Sequence, residues 1–156
     1  MLAVRRTLVA VGALVAIAVV VAAVLAFLTF GVRSQAPSAA SSPGAAVIAS
    51  SKASADAPAA FRDRATFRSC GEVVLEQGGQ IPPARIRCLA ATPSQGRELV
   101  VESPTTEGDP IVRYYRTGPD LNGVDIFVDA TRDRFGGGWQ HSLCRSGQID
   151  QTGACA

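Results

Sequence analysis

The sequence predicts an α+β domain, one helix packed on an antiparallel meander sheet, set behind an N-terminal transmembrane helix and a disordered linker. Three observations predict it. Residues 7–32 carry no charge and are almost entirely apolar. Residues 34–60 are dominated by Ala, Ser and Pro. From residue 61 onward, short segments rich in β-formers alternate with Gly-, Asp- and Pro-bearing turns, with one helical repeat among them. These shifts divide the chain into 1–33, a membrane anchor or signal; 34–60, the linker; and 61–156, a disulfide-bonded extracytoplasmic domain.

The first segment reads as an address. As a helix, 26 uncharged residues reach about 39 Å at ~1.5 Å per residue, enough to cross a hydrocarbon core of roughly 30 Å with tilt. Arg5 and Arg6 precede the run and Arg33 follows it, so the positive-inside rule puts the N-terminus in the cytoplasm and the C-terminal part outside. A cleaved signal has a shorter apolar region, which favours a retained anchor. The stretch Gln35–Ala40 leaves secretion after cleavage as the alternative. No Cys follows the run closely enough for lipid attachment, since the first is Cys70. Ala18, Ala22 and Ala26 form a small-residue stripe that would let two such helices approach.

The 34–60 stretch holds only Val47 and Ile48 as bulky apolar residues, too few to offset the entropy of ordering it. It reads as a flexible tether, stiffened at Pro37, Pro43 and Pro58. Residues 61–156 contain 11 Arg, no Lys and 12 acidic residues, so the basic excess of the chain lies outside the predicted domain. That distribution argues against a nucleic-acid partner. The length excludes a large multi-domain enzyme or a polytopic transporter.

Within the domain, Gly71–Glu76 alternates and ends at Gly78-Gly79, a short strand. Pro82-Pro83 then opens a helix over 83–92, since Pro is accepted in a first turn, and Ile86, Leu89 and Ala90 repeat at helical spacing. Four strands follow, at 97–103, 111–117, 124–130 and 139–144. In the third of these Val124, Ile126, Val128 and Ala130 are expected inward, and Asp125, Phe127 and Asp129 outward towards water. In the last, Trp139, His141 and Leu143 share a face. Short links between them make an antiparallel meander the economical topology.

Cys70, Cys88, Cys144 and Cys155 are an even set in a small extracytoplasmic domain, which predicts two disulfides. No C-x-x-C pair suggests zinc. Cys70–Cys88 and Cys144–Cys155 each close a local loop and are the expected pairs.

The run TTEGDPIVRYYRTGP, followed by DIFVDATRDRFGGGWQHSLC, resembles a family of small bacterial extracytoplasmic domains of unknown function, many of them lipoproteins. The carrying residues are Glu107, Gly108, Asp109, Pro110 and Ile111; then Asp129, Arg132, Asp133, Phe135 and Gly136; then Trp139 and Cys144. CGEVVLEQGGQIP at 70–82 is similar to the family's opening, so the likeness spans about 70–146. The chain departs from the family in lacking a lipid-attachment Cys. The resemblance implies an address and a fold, not an activity.

Catalytic chemistry finds little support. Turn chemistry accounts for Glu107-Gly108-Asp109-Pro110 without invoking paired catalytic carboxylates. Asp129 and Asp133 lack EF-hand spacing and sit among Arg132 and Arg134, which points to an ion-paired loop and no metal or cofactor. His141 and Ser142 are strand neighbours and so point to opposite faces, which makes His141 a half-buried packing residue. Tyr114, Tyr115, Phe127 and Trp139 with several Arg suit either a core or a recognition surface. Two functions are therefore carried forward. One is a non-enzymatic, membrane-tethered module binding an extracytoplasmic protein or envelope ligand. The other is a small secreted hydrolase using Glu107 or Asp109 with His141.

Overall fold

The computed structural model of the protein describes residues 42–91 and 93–156. The 7–32 run and the first part of the linker lie outside the described residues. Among the described residues no helix is long and apolar enough to cross a membrane.

Two helices come first, α1 (Pro43–Lys52) and α2 (Ala59–Arg62). Then follow β1 (Arg68–Val74), α3 (Pro83–Ala90), a 3-10 turn at Pro93–Gln95, β2 (Arg97–Pro104), β3 (Pro110–Thr117), β4 (Val124–Asp129) and β5 (Trp139–Cys144). The strands form one five-stranded sheet in the order β1-β2-β3-β4-β5. From β2 onward it is the expected antiparallel meander. β1 departs from it, pairing with β2 in parallel and making the sheet mixed. The cause is α3. A helix between two neighbouring strands carries the chain back to the end from which the first one started, and the second then runs alongside it.

The larger correction concerns the linker. Over 42–60 it is part of the fold. Ser42 caps α1, its hydroxyl accepting a hydrogen bond from the Ala45 amide, and Pro43 occupies the first turn. Ala is the best helix former, and its short side chain lets α1 lie close on the sheet. Ile48 and Ser51 are fully buried there. Gly44 marks the closest approach, where a Cβ would collide with the Val74 side chain. A composition poor in bulky residues thus suits a helix that needs only Ile48 and, in part, Val47 to anchor it.

The sheet is consequently covered on both faces. On one side α3 and the C-terminal tail enclose Cys70, Ile81, Leu89, Leu99, Val101, Tyr115, Val124, Ile126 and Ile149. On the other, α1 and α2 bury Val100, Val112, Tyr114 and Phe127. Phe61 is the plug of this second core. Its ring lies 4.6 Å from Tyr114, 5.4 Å from Phe127 and 4.5 Å from Trp139. Burying such a side chain stabilises by about 1.5–3 kcal/mol. Asp125, Phe127 and Asp129, expected to face water, are buried on this side instead.

Both disulfides are those expected. Cys70–Cys88 ties β1 to α3, and Cys144–Cys155 ties β5 to the tail, leaving no free cysteine. The tail is further held by the Ile81 amide, which donates to the Gln151 carbonyl at 2.8 Å. Two disulfides in a domain of this size indicate a non-cytoplasmic setting.

Candidate functional site

The two sequence motifs converge at one end of the sheet. The β2–β3 turn is closed by the Gly108 amide on the Thr105 carbonyl and by the Thr105 amide on the Asp109 carbonyl. Gly108 takes a φ of 88°, which favours glycine, and the Thr105 hydroxyl accepts from the Asp109 amide. Pro110 starts β3 opposite Pro104, and Glu107 is exposed at the tip. The Asp109 carboxylate leaves the turn and grips the loop between β4 and β5. It accepts two bonds of 2.8 Å from the Arg134 guanidinium and a third, of 3.1 Å, from the Arg134 amide. Those bonds hold the pKa of the Asp109 carboxyl below the ordinary carboxylate range and raise that of the Arg134 guanidinium.

The receiving loop, 130–138, is tied at several more points. Asp129 accepts from the amide and hydroxyl of Thr131. Asp133 accepts from the Phe135 amide at 2.9 Å. Arg132 reaches across to the Ser50 hydroxyl on α1 at 2.6 Å. Gly136 turns with a φ of 104°, and Trp139 leaves the loop to pack on Phe61. In this frame Phe135 stands out at 74% exposure, the most exposed large hydrophobic residue among those described. The expected ion-paired loop is thus present, and its carboxylates are engaged by amides, hydroxyls and Arg.

His141 lies elsewhere. The register sets it in the Tyr114–Phe127–His141 row, whereas Asp109 lies three residues before the Val112–Asp129–Trp139 row. Five residues of strand separate the two levels, roughly 16 Å along the sheet. His141 stacks flat on Phe127 at 4.2 Å, as a packing residue would, while 49% of its side chain stays exposed. Its Nε2 pairs with Asp125. No hydroxyl or thiol bonds to it among the described residues.

Asp125 in turn belongs to a buried ladder that the sequence reading missed. Arg116, 4% exposed, lies 3.3 Å from Asp125 and 3.2 Å from Glu98. Arg64 shares the same Glu98 oxygen, Oε2, at 3.1 Å, and Arg116 also donates to the Ala65 carbonyl. Burial pulls the Arg116 guanidinium down, and the two carboxylates oppose that pull. This ladder fastens the 61–67 segment onto the sheet. Its visible signal was Asp125 alternating with apolar residues in β4, a pattern equally consistent with a solvent face. A shallow groove of about 210 Å³ between α3 and the tail, lined by Ile86, Leu89, Val124 and Ile149, contains no motif residue.

No family model, curated protein or solved structure matches this chain.

Proposed function

We propose that the protein is a non-enzymatic extracytoplasmic binding module, tethered to the membrane through residues 7–32, whose β4–β5 loop offers Phe135 to an extracytoplasmic protein or envelope ligand. One observation carries this reading: a large apolar ring held in water by a loop whose geometry is already fixed. Binding through a pre-ordered aromatic residue loses little conformational entropy, and aromatic and Arg residues dominate interface hot spots. Arg132 and Arg134 precede the ring in sequence. The two disulfides support the same extracytoplasmic address. The hydrolase reading draws no support from a His141 that pairs with Asp125, far from Glu107 and Asp109.

The test is a photo-crosslinking amino acid at position 135 of the full chain in intact cells, with position 120 as an exposed control. A discrete adduct at 135 alone is expected. Phe135→Ala should leave stability within about 0.5 kcal/mol, as for an ordinary surface change, and should remove competition for that adduct. Equal labelling at both positions would refute the reading.

A further inference from the structure

We infer that the free edge of β5 pairs with β5 of a second copy of this chain, antiparallel and centred on His141. The sheet has two edges, and they are treated differently. β1 is blunted: its register slips between Ser69 and Glu72 and Gly71 takes a φ of 102°. Arg85 covers the Cys70 carbonyl at 2.8 Å, and the Cys70–Cys88 disulfide holds α3 beside this strand. Proteins protect edges in these ways, with bulges, charges, Pro or a covering element. β5 has none of them. Its register against β4 is unbroken over all six residues, and its sequence, WQHSLC, contains no Lys, Arg, Asp, Glu or Pro. Gln140, His141, Ser142 and Leu143 are all exposed.

The hydrogen-bond pattern fixes which groups are open. The Ala130 amide donates to the Gly138 carbonyl at 3.0 Å, in the same register as the β4–β5 ladder. Bonded pairs alternate in an antiparallel ladder, so Gln140, Ser142 and Cys144 direct their backbone groups at β4. Trp139, His141 and Leu143 direct theirs outward. A twofold axis through His141 then sets His141 against its own copy and Trp139 against Leu143 of the copy. All three outward residues meet outward residues, which gives about six new N–H···O=C bonds. Their side chains share one face, so the indole meets a leucine that is 43% exposed in the single chain. On the opposite face Gln140 meets Ser142, both uncharged. Arg145, the first charged residue beyond the strand, falls at the level of Gly137 of the copy and not opposite another Arg. The strand is therefore complementary to itself in shape and in charge, which singles out a second copy as its occupant.

Register-specific cross-linking of the full chain in membranes tests this. In the inferred pair His141 faces His141, within the Cα separation a disulfide spans, whereas Gln140 lies about 8 Å from its own copy, beyond that reach. His141→Cys should yield a covalent dimer on oxidation, at least tenfold faster than Gln140→Cys or Asp120→Cys. Adding Leu143→Lys, which sets a charge against Trp139, should remove the difference. Since His141→Cys also gives up the bond to Asp125, the unaltered chain in detergent is measured alongside by sedimentation and should reach dimer mass at tens of micromolar. Equal cross-linking at 140 and 141, a monomer throughout that concentration range, or an adduct with a protein of different mass would each overturn the inference.

Discussion

Ile48→Ala separates a folded α1 from a tether with the least ambiguity. Ile48 is fully buried against the sheet. The substitution deletes three carbon atoms, about 2.4 kcal/mol at ~0.8 kcal/mol each. The cavity left under α1 adds to this, for a total of about 3–4 kcal/mol, inside the roughly 2–5 kcal/mol range of such changes. For a domain of this size each kcal/mol moves Tm by about 4 °C, so the expected fall is ~12–16 °C. Trp139 is the only tryptophan, and it packs against Phe61 in the same core. Its fluorescence in a thermal melt of the full chain therefore reports this layer directly. Ala49→Ser, on the exposed side of α1, is the control and should change stability by no more than about 0.5 kcal/mol. A fall below ~2 °C for Ile48→Ala would refute the account of α1 as an integral layer.

Two further outcomes follow from the charges. Burial, reinforced by Glu76, raises the affinity of Glu102 for its proton in the folded state. The folded form then binds more proton than the unfolded one, so this group's contribution is full below pH ~4.5 and is lost as pH rises through the raised value. Glu102→Gln should flatten that part of the Tm–pH curve and leave Tm equal or higher at neutral pH; an unchanged slope between pH 4 and 7 would count against it. Asp109 has the opposite sign: its stabilisation is present above the ordinary carboxylate value and is lost as pH falls through the lowered one. Asp109→Asn should speed amide exchange across 130–138 while β2 and β3 keep their protection; unchanged exchange there would show that Arg134 does not anchor the loop.

The parts legible in the sequence were those encoded locally. β2 to β5 announced themselves by alternation and by turn residues, α3 by Pro83 and the Ile86–Leu89–Ala90 spacing, and both disulfides by short loops. α1 was not legible because Ala- and Ser-rich sequence describes a tether and a closely packed helix equally well. The sharper signal was Ser42-Pro43, a cap followed by a first-turn proline, standing before Val47 and Ile48. The parallel β1–β2 pairing was implicit in α3 itself, since a helix between two adjacent strands returns the chain to its starting end. The site divided in the same manner. Each motif read correctly as a turn, but the grip of Asp109 on Arg134 joins residues 25 positions apart, which no local pattern encodes. Asp125 was misplaced for a related reason: with both faces of β4 covered, alternation no longer distinguishes inside from outside.

The placement of the disulfides has a mechanical consequence. Cys70 is the first cross-linked residue, so everything from Ser42 to Ser69 precedes the covalent loops. That stretch contains α1, α2 and Phe61, and no disulfide reaches it; it is held by packing, by the Tyr114 hydroxyl on Ser51, by Arg132 on Ser50, by Arg116 on the Ala65 carbonyl and by the Lys52–Glu72 and Arg64–Glu98 pairs. A load applied at its N-terminal end meets the capped turn at Ser42 first and peels α1, then Phe61, off the sheet before it is borne by a cross-link at β1. β1 stays stapled to α3, and β5 to the tail, while Tyr114, Phe127 and Trp139 are uncovered. Tension at that end is thus expected to bare an aromatic surface before it reaches a covalent bond.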